Sequence, residues 1–255
     1  MAKLNIDLFL KSLNRQGSFE MILPNDMPNE SGRPITTIFH LHGYTGKAES
    51  WVPQELIQKY NIAVVSPNGE NGFYLDGLST GHNYATLVGE ELVDYVRRTF
   101  GLAKTPEETY IMGISMGGFG ALRTGLAYPD VFGKAAGMSA ALIVHGIAHM
   151  KEGEDNGMAN YAYYHECFGD LETVEESRAN PETLVKELKA AGKKIPDIYM
   201  CCGTEDFLIE PNRQFHQFLT EQGVQHEYHE SPGVHDNVFW TEYAPKVINW
   251  MFEGK

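Results

Sequence analysis

Residues 109–122 read TYIMGISMGGFGAL. The first six, TYIMGI, are aromatic, β-branched or apolar with one Gly, the composition of a strand buried on both faces. From Gly117 the residues fall at helical spacing to Tyr128, and Pro129 stops the run. Between strand and helix stands Gly113-Ile114-Ser115-Met116-Gly117. A Gly-x-Ser-x-Gly in this context forms a turn too tight for side chains on either flank, and it pushes the Ser hydroxyl out above the sheet. The amide of Met116, at a helix N-terminus, can then donate to an oxyanion. Gly-rich helix starts also bind phosphate, so the strand before and the helix after decide the reading.

Outward from this point, strands and helices alternate. Residues 35–41 (ITTIFHL) and 62–66 (IAVVS) predict buried strands, with a helix over 50–60 between them. Apolar Leu87, Val88, Leu92, Tyr95 and Val96 predict a helix over 84–100. Downstream, strands are predicted at 134–139, 197–202 and 225–230, and helices at 181–191, 213–222 and 238–252. This alternation predicts an α/β fold whose mostly parallel sheet is covered by helices on both faces. The first thirty residues are more polar, with turn signals at Gly17 and Asn25-Asp26, and predict antiparallel edge strands.

A Ser hydroxyl needs a base to act as a nucleophile at neutral pH. His235, in Gly-Val-His-Asp, follows the strand over 225–230 and precedes the final helix, at the carboxyl edge of the sheet. His226 and His229 lie within the strand, where a side chain points to a face of the sheet rather than standing above its edge. The acid belongs after the preceding strand, where Cys202-Gly203-Thr204-Glu205-Asp206 offers two carboxylates. Asp206 is favoured over Glu205 because Phe207-Leu208-Ile209 would bury its loop and shield it. A second oxyanion donor is expected from the loop after 35–41, His40-Leu41-His42-Gly43-Tyr44, where Gly43 lets the Tyr44 amide face the site. His40 and His42 share a strand face, but two ligands do not make a metal site, so backbone hydrogen bonds are the expected partners.

Composition narrows the rest. In 255 residues, 34 acidic side chains oppose 20 Lys and Arg, for a net charge of −14. Such a surface repels polyanions, which argues against nucleic acid as a partner. Cys167, Cys201 and Cys202 are odd in number and two are adjacent, so a disulfide framework is not expected. With no signal-peptide pattern and no apolar window of membrane-spanning length, the expectation is a cytoplasmic protein off the membrane. Nothing in the sequence sets the oligomeric state, and a homo-oligomer stays open. One domain over 1–255 is expected, with residues 143–180 breaking the alternation. Either this stretch caps the active site or it is an ordinary helical insertion. Its aromatic residues Tyr161, Tyr163 and Tyr164 are candidate substrate contacts.

The run GISMGGFGAL, the loop HLHGYTGKAESW, the run CGTEDFL and the ending Gly233-Val234-His235-Asp236 with Trp240 downstream together resemble the esterase D group of α/β-hydrolases. That group includes tributyrin esterases, carbohydrate esterase family 1 feruloyl and acetylxylan esterases, S-formylglutathione hydrolases and mycolyltransferases. The resemblance covers about residues 34–252. It implies an α/β-hydrolase fold, a Ser115–Asp206–His235 triad, and oxyanion donors at Tyr44 and Met116. It adds Trp240 to the candidate substrate contacts. The implied activity is cleavage of short acyl or aryl esters without a cofactor. A thioesterase or acyltransferase would use the same triad. The chain lacks the Gly-x-Asp-His-Ser-Tyr ending typical of S-formylglutathione hydrolases.

Overall fold

The computed structural model describes residues 1–24 and 32–253, so the turn expected at Asn25-Asp26 lies outside the described residues. A β-hairpin opens the chain, β1 (Ala2–Leu10) against β2 (Arg15–Leu23). β1 alternates half-buried and exposed positions along its length, as an edge strand covered on one face does. The hairpin turns at residues 11–14, not at Gly17. Gly17 instead lies inside β2, where an added Cβ would come within 2.6 Å of the Leu10 side chain.

The body follows as β3 (Thr36–Leu41), α1 (Gln54–Tyr60) and β4 (Ile62–Pro67). A helical stretch over 84–100 then comprises α2 (Tyr84–Thr86), a wider turn at Leu87–Glu91, and α3 (Leu92–Phe100). β5 (Thr109–Ile114), α4 (Met116–Ala127) and β6 (Lys134–Met138) form the centre. Next come the short α5 (Val144–Ile147), α6 (Tyr161–Phe168) and α7 (Pro181–Ala190). The chain finishes with β7 (Asp197–Gly203), α8 (Ile209–Glu221), β8 (His226–Ser231) and α9 (Asn237–Phe252). Two helix starts differ from the sequence reading. α1 begins four residues late, because Pro53 sits at its N-cap in extended backbone. α8 begins four residues early, and Pro211 occupies its first turn, where a missing N–H costs nothing.

The eight strands form one sheet in the order β1-β2-β4-β3-β5-β6-β7-β8. β2 pairs antiparallel with β1 and β4, and every other pairing is parallel. Alternation along the buried strands feeds two cores. Phe39, Leu41, Ala63, Val65 and Ile111 join the larger core with α3, α4, α7 and α8. Ile38, Ile62, Val64, Tyr110 and Met112 point the other way, against α1 and α9. The fold is an α/β-hydrolase fold, and the carboxyl ends of its parallel strands gather the loops after β3, β5, β7 and β8 along one edge.

Candidate active site

At the end of β5 the chain reverses into α4 through Ser115, with φ 53° and ψ −119°. This conformation is costly for a residue with a Cβ and survives only where the surroundings enforce it. Here they do. The Ser115 amide donates to the Met138 carbonyl at 2.9 Å, and its own carbonyl accepts from Phe119 and Ala141 at 3.0 and 2.9 Å. The flanking glycines are demanded by backbone proximity: a Cβ on Gly113 would meet the Gly117 carbonyl at 2.3 Å, and one on Gly117 the Leu41 carbonyl at 2.1 Å. The Met116 amide precedes the first intrahelical hydrogen bond, Phe119 to Ser115, and so lies at the positive end of α4.

Ser115 Oγ lies 2.9 Å from His235 Nε2, and His235 Nδ1 lies 2.8 and 3.0 Å from the two oxygens of Asp206. Folding thus joins residues 120 positions apart in sequence. The loops carrying Asp206 and His235 are locked to each other. The Glu205 amide donates to the Gly233 carbonyl at 3.0 Å, and the Gly233 amide donates to Glu205 Oε2 at 2.7 Å. Beyond His235, Asp236 caps α9, accepting from the Val238 and Phe239 amides at 3.0 Å each.

Asp206 is buried at 2% exposure, and burial alone would push its carboxyl up. Hydrogen bonds from His235, the Leu208 amide (2.9 Å) and the Ser139 hydroxyl outweigh that effect and hold it below the ordinary carboxylate range. It is therefore an anion facing the imidazole. Glu205 makes no contact with His235; its carboxylate serves Gly233. The competing histidines lie elsewhere: His226 Nε2 is 2.7 Å from His216, and His229 pairs with Glu227.

The loop after β3 approaches Ser115 from the other side. A Cβ on Gly43 would stand 3.4 Å from that of Ser115. The loop is braced: His42 Nδ1 donates to the Gly43 carbonyl at 2.7 Å, and His42 Nε2 accepts from the Gly69 amide at 2.9 Å. The Tyr74 hydroxyl donates to the His42 carbonyl at 3.1 Å, and the Thr45 amide donates to Asn71 at 2.8 Å. Burial lowers the His42 pKa, consistent with the neutral tautomer these bonds require. The fully buried His40 ring interacts with the Glu49 backbone, too loosely for a normal hydrogen bond, and burial drives its pKa down to about 4. Among the described residues, no group of three or more His, Cys, Asp or Glu side chains could hold a metal.

A cavity of about 450 Å³ opens beside Ser115, Met116 and Tyr44. Tyr163 and Tyr164 line it, and Tyr161 and Trp240 do not. Tyr161 stacks on His165 one turn further along α6. Trp240 is buried at 9% exposure with its ring perpendicular to His235 and 4.9 Å from it. Phe207 was expected to bury the acid's loop. Instead it is 62% exposed, packs against His235 at 4.6 Å and lines the cavity, while Leu208 and Ile209 provide the burial. Wall residues missed by the sequence reading include His145, Asn156, Met158 and Gln214. Asn156 and Met158 sit in the irregular part of 143–180, and His145 in the single turn of α5, where no periodicity marks an inward face. Tyr163 links that segment to the oxyanion loop region, donating to the Asn71 carbonyl at 2.5 Å and packing its ring on Tyr44. Phe168 anchors the same segment to the body against Phe73 and Phe119.

Residues 11–247 match the Esterase family. An acetyl esterase of Caldicellulosiruptor saccharolyticus is 38% identical over 98% of both chains. Among solved structures, the fluorophosphonate-binding serine hydrolase F of Staphylococcus aureus superposes with a TM-score of 0.84 at 25% identity, covering 98% of each chain. An S-formylglutathione hydrolase of Staphylococcus aureus gives 0.82 at 26% identity, again over 98% of each.

Proposed function

Because the chain belongs to the Esterase family and is a serine esterase of the α/β-hydrolase type, we propose that Ser115, His235 and Asp206 carry its hydrolysis of small carboxylic esters. The observation that carries this reading is the unbroken line from Asp206 through His235 to Ser115, with contacts of 2.8 and 2.9 Å. His235 Nε2 takes the Ser115 proton as Oγ attacks the ester carbonyl. The imidazolium that forms faces the Asp206 carboxylate. The tetrahedral oxyanion lies toward the amides of Met116 and Tyr44, donors already fixed by the elbow and by the braced loop. His235 then returns the proton to the departing alcohol, leaving an acyl-enzyme. Water activated by the same imidazole releases the acid.

The cavity suggests the acyl group. Its walls are mainly Leu142, Ile143, Ile147, Phe73 and Met158 with Tyr163 and Tyr164, and they suit an apolar short acyl or aryl moiety. In this reading residues 143–180 act as a cap, because they supply much of that wall. The acetyl esterase relative supports the acetyl end of the range. The S-formylglutathione hydrolase neighbour keeps a thioester substrate as the second reading. The three thiols are free and buried, and no helix among the described residues is long and apolar enough to cross a membrane. Both facts support a cytoplasmic location.

The deciding experiment measures kcat on acetyl, butyryl and feruloyl esters and on an acyl thioester, for wild type and Ser115→Ala. The substitution should lower kcat by several orders of magnitude, on the order of 10⁴ or more, without unfolding the chain. A fluorophosphonate adduct should map to Ser115. Normal turnover by Ser115→Ala would sink the reading. Preference for the thioester would move the substrate class to the second reading and leave the triad in place.

A further inference from the structure

His235 is held through Nδ1 by Asp206, which leaves the imidazole free to tilt about that contact unless its faces are walled. Two rings flank it. Phe207, at 4.6 Å, is mostly exposed and makes a soft wall. Trp240, at 4.9 Å and perpendicular, is buried and packs against Trp51 on its far side. Its indole N–H donates to the hydroxyl of Ser139 at 3.1 Å.

Ser139 is an unusual residue to find there. It has no solvent exposure, and its φ is 45°, a region a residue with a Cβ avoids. It follows β6 directly, and its amide donates to the Cys201 carbonyl at 2.7 Å. Two residues on, the Ala141 amide donates to the carbonyl of Ser115. The strained position therefore belongs to the same backbone unit as the nucleophile. The hydroxyl also meets the Cys202 thiol, and a non-glycine residue held at such an angle beside the proposed triad is reason to ask what it positions. An indole N–H is a donor only, so the Ser139 proton cannot turn toward Trp240 and is left to serve an acceptor on the other side. The Asp206 carboxylate lies there, and the Ser139 hydroxyl helps to hold it ionised.

We propose that Ser139 and Trp240 are a coupled pair of positioning residues: the Ser139 hydroxyl pins the indole, and the pinned indole fixes the His235 imidazole between Asp206 and Ser115. The inference rests on the triad reading above and adds two members that touch neither cavity nor substrate. It accounts for Trp240 lying outside the cavity while sitting against the base.

The test uses Ser139→Ala, Trp240→Phe and the double variant of the full chain. Melting temperature is recorded first. kcat and KM are then measured on a p-nitrophenyl ester and on an alkyl ester of the same acid. Loosening the imidazole should lower kcat roughly 10- to 100-fold with KM within about twofold. The loss should be larger for the alkyl ester, whose poor leaving group depends on proton return by His235. The double variant should lose no more than the worse single, since both break one chain of contacts. Wild-type kcat in Ser139→Ala overturns the proposal. So does a rise in KM at constant kcat, which would make Trp240 a substrate contact, and so do losses that multiply in the double variant. Should Trp240→Phe fail to fold, Trp240→Tyr takes its place in the cycle, because Ser139→Ala also removes a hydrogen bond from Asp206; a kcat loss in Ser139→Ala with wild-type kcat in the Trp240 variant overturns the proposal. Fluorophosphonate labelling of Ser115 in wild type tests the triad separately, so failure of the pair and failure of the triad are distinguishable.

Discussion

Replacing Asp206 by Asn tests the acid at the level of single atoms. The carboxylate accepts the Leu208 amide on Oδ1 at 2.9 Å and faces His235 Nδ1 with Oδ2 at 2.8 Å. An Asn side chain has one oxygen to offer. The Leu208 N–H is buried and fixed by the start of α8, so it claims that oxygen; leaving it unpaired would cost about 1–3 kcal/mol. The NH₂ then takes the nearer place, 2.8 Å from His235 Nδ1, while the oxygen kept by Leu208 stands at 3.0 Å. A donor at that place selects the imidazole tautomer with its proton on Nε2, which cannot accept the proton of Ser115. The fall in kcat should therefore be about 10⁴-fold, equivalent to about 5.5 kcal/mol of transition-state stabilisation. Glu205→Gln is the matched control. Its oxygen can still accept the Gly233 amide, so kcat should stay within roughly threefold. Initial rates on a p-nitrophenyl ester, with circular dichroism to verify folding, are sufficient. If Glu205→Gln cost more than Asp206→Asn, the assignment of the acid would be wrong.

Other outcomes follow from the same geometry. Gly117→Ala puts a methyl 2.1 Å from the backbone carbonyl of Leu41, which cannot yield. The melting temperature should drop by roughly 6–12 °C, corresponding to about 3 kcal/mol, and a drop under 2 °C would contradict the close approach. His145 is desolvated, which lowers its pKa, but hydrogen bonds to Glu182 and Glu175 raise it above the ordinary value overall. Its contribution to stability is thus complete below about pH 6.5 and is lost as pH rises through the raised value. The melting-temperature difference between wild type and His145→Gln should be largest at acid pH and fade above neutrality; a difference growing with pH would reverse the sign. Tyr163→Phe loses the bond to the Asn71 carbonyl and should cost about 1 kcal/mol while altering acyl preference. Tyr161→Ala should leave preference across the ester panel unchanged, because that ring is not among the residues lining the cavity.

The sheet was legible because strands buried on both faces must be apolar throughout, and β3, β4 and β5 have no exposed position. The meeting of Ser115, His235 and Asp206, the proposed triad, was legible because a Gly-x-Ser-x-Gly turn needs its glycines for steric reasons, and because the loops at the strand ends are where other side chains can reach the Ser. What stayed hidden depends on contacts that no local pattern encodes. Phe207 follows the acid and precedes a buried pair, and nothing in CGTEDFL says that its ring turns out toward His235. Trp240 lies five residues after His235 on a helix with apolar residues on several sides, so spacing alone does not separate cavity from core. Asn156 and Met158 reach the cavity from a segment held by turns, where side-chain direction follows from tertiary packing. Nor did position 139, an ordinary Ser after an ordinary strand, show its positive φ.

The backbone of Ser115 has a further consequence for how this chain can change over time. A conformation at φ 53° and ψ −119° is one that Gly adopts freely and Ser resists, at a cost on the order of 1–3 kcal/mol. Ser115→Gly should therefore yield an inert protein that melts higher than the active one. A library screened only for heat resistance would drift toward that variant. With Ser115 as the proposed nucleophile, only selection for turnover would hold the less comfortable residue in place, and robustness and activity would pull in opposite directions at this one position.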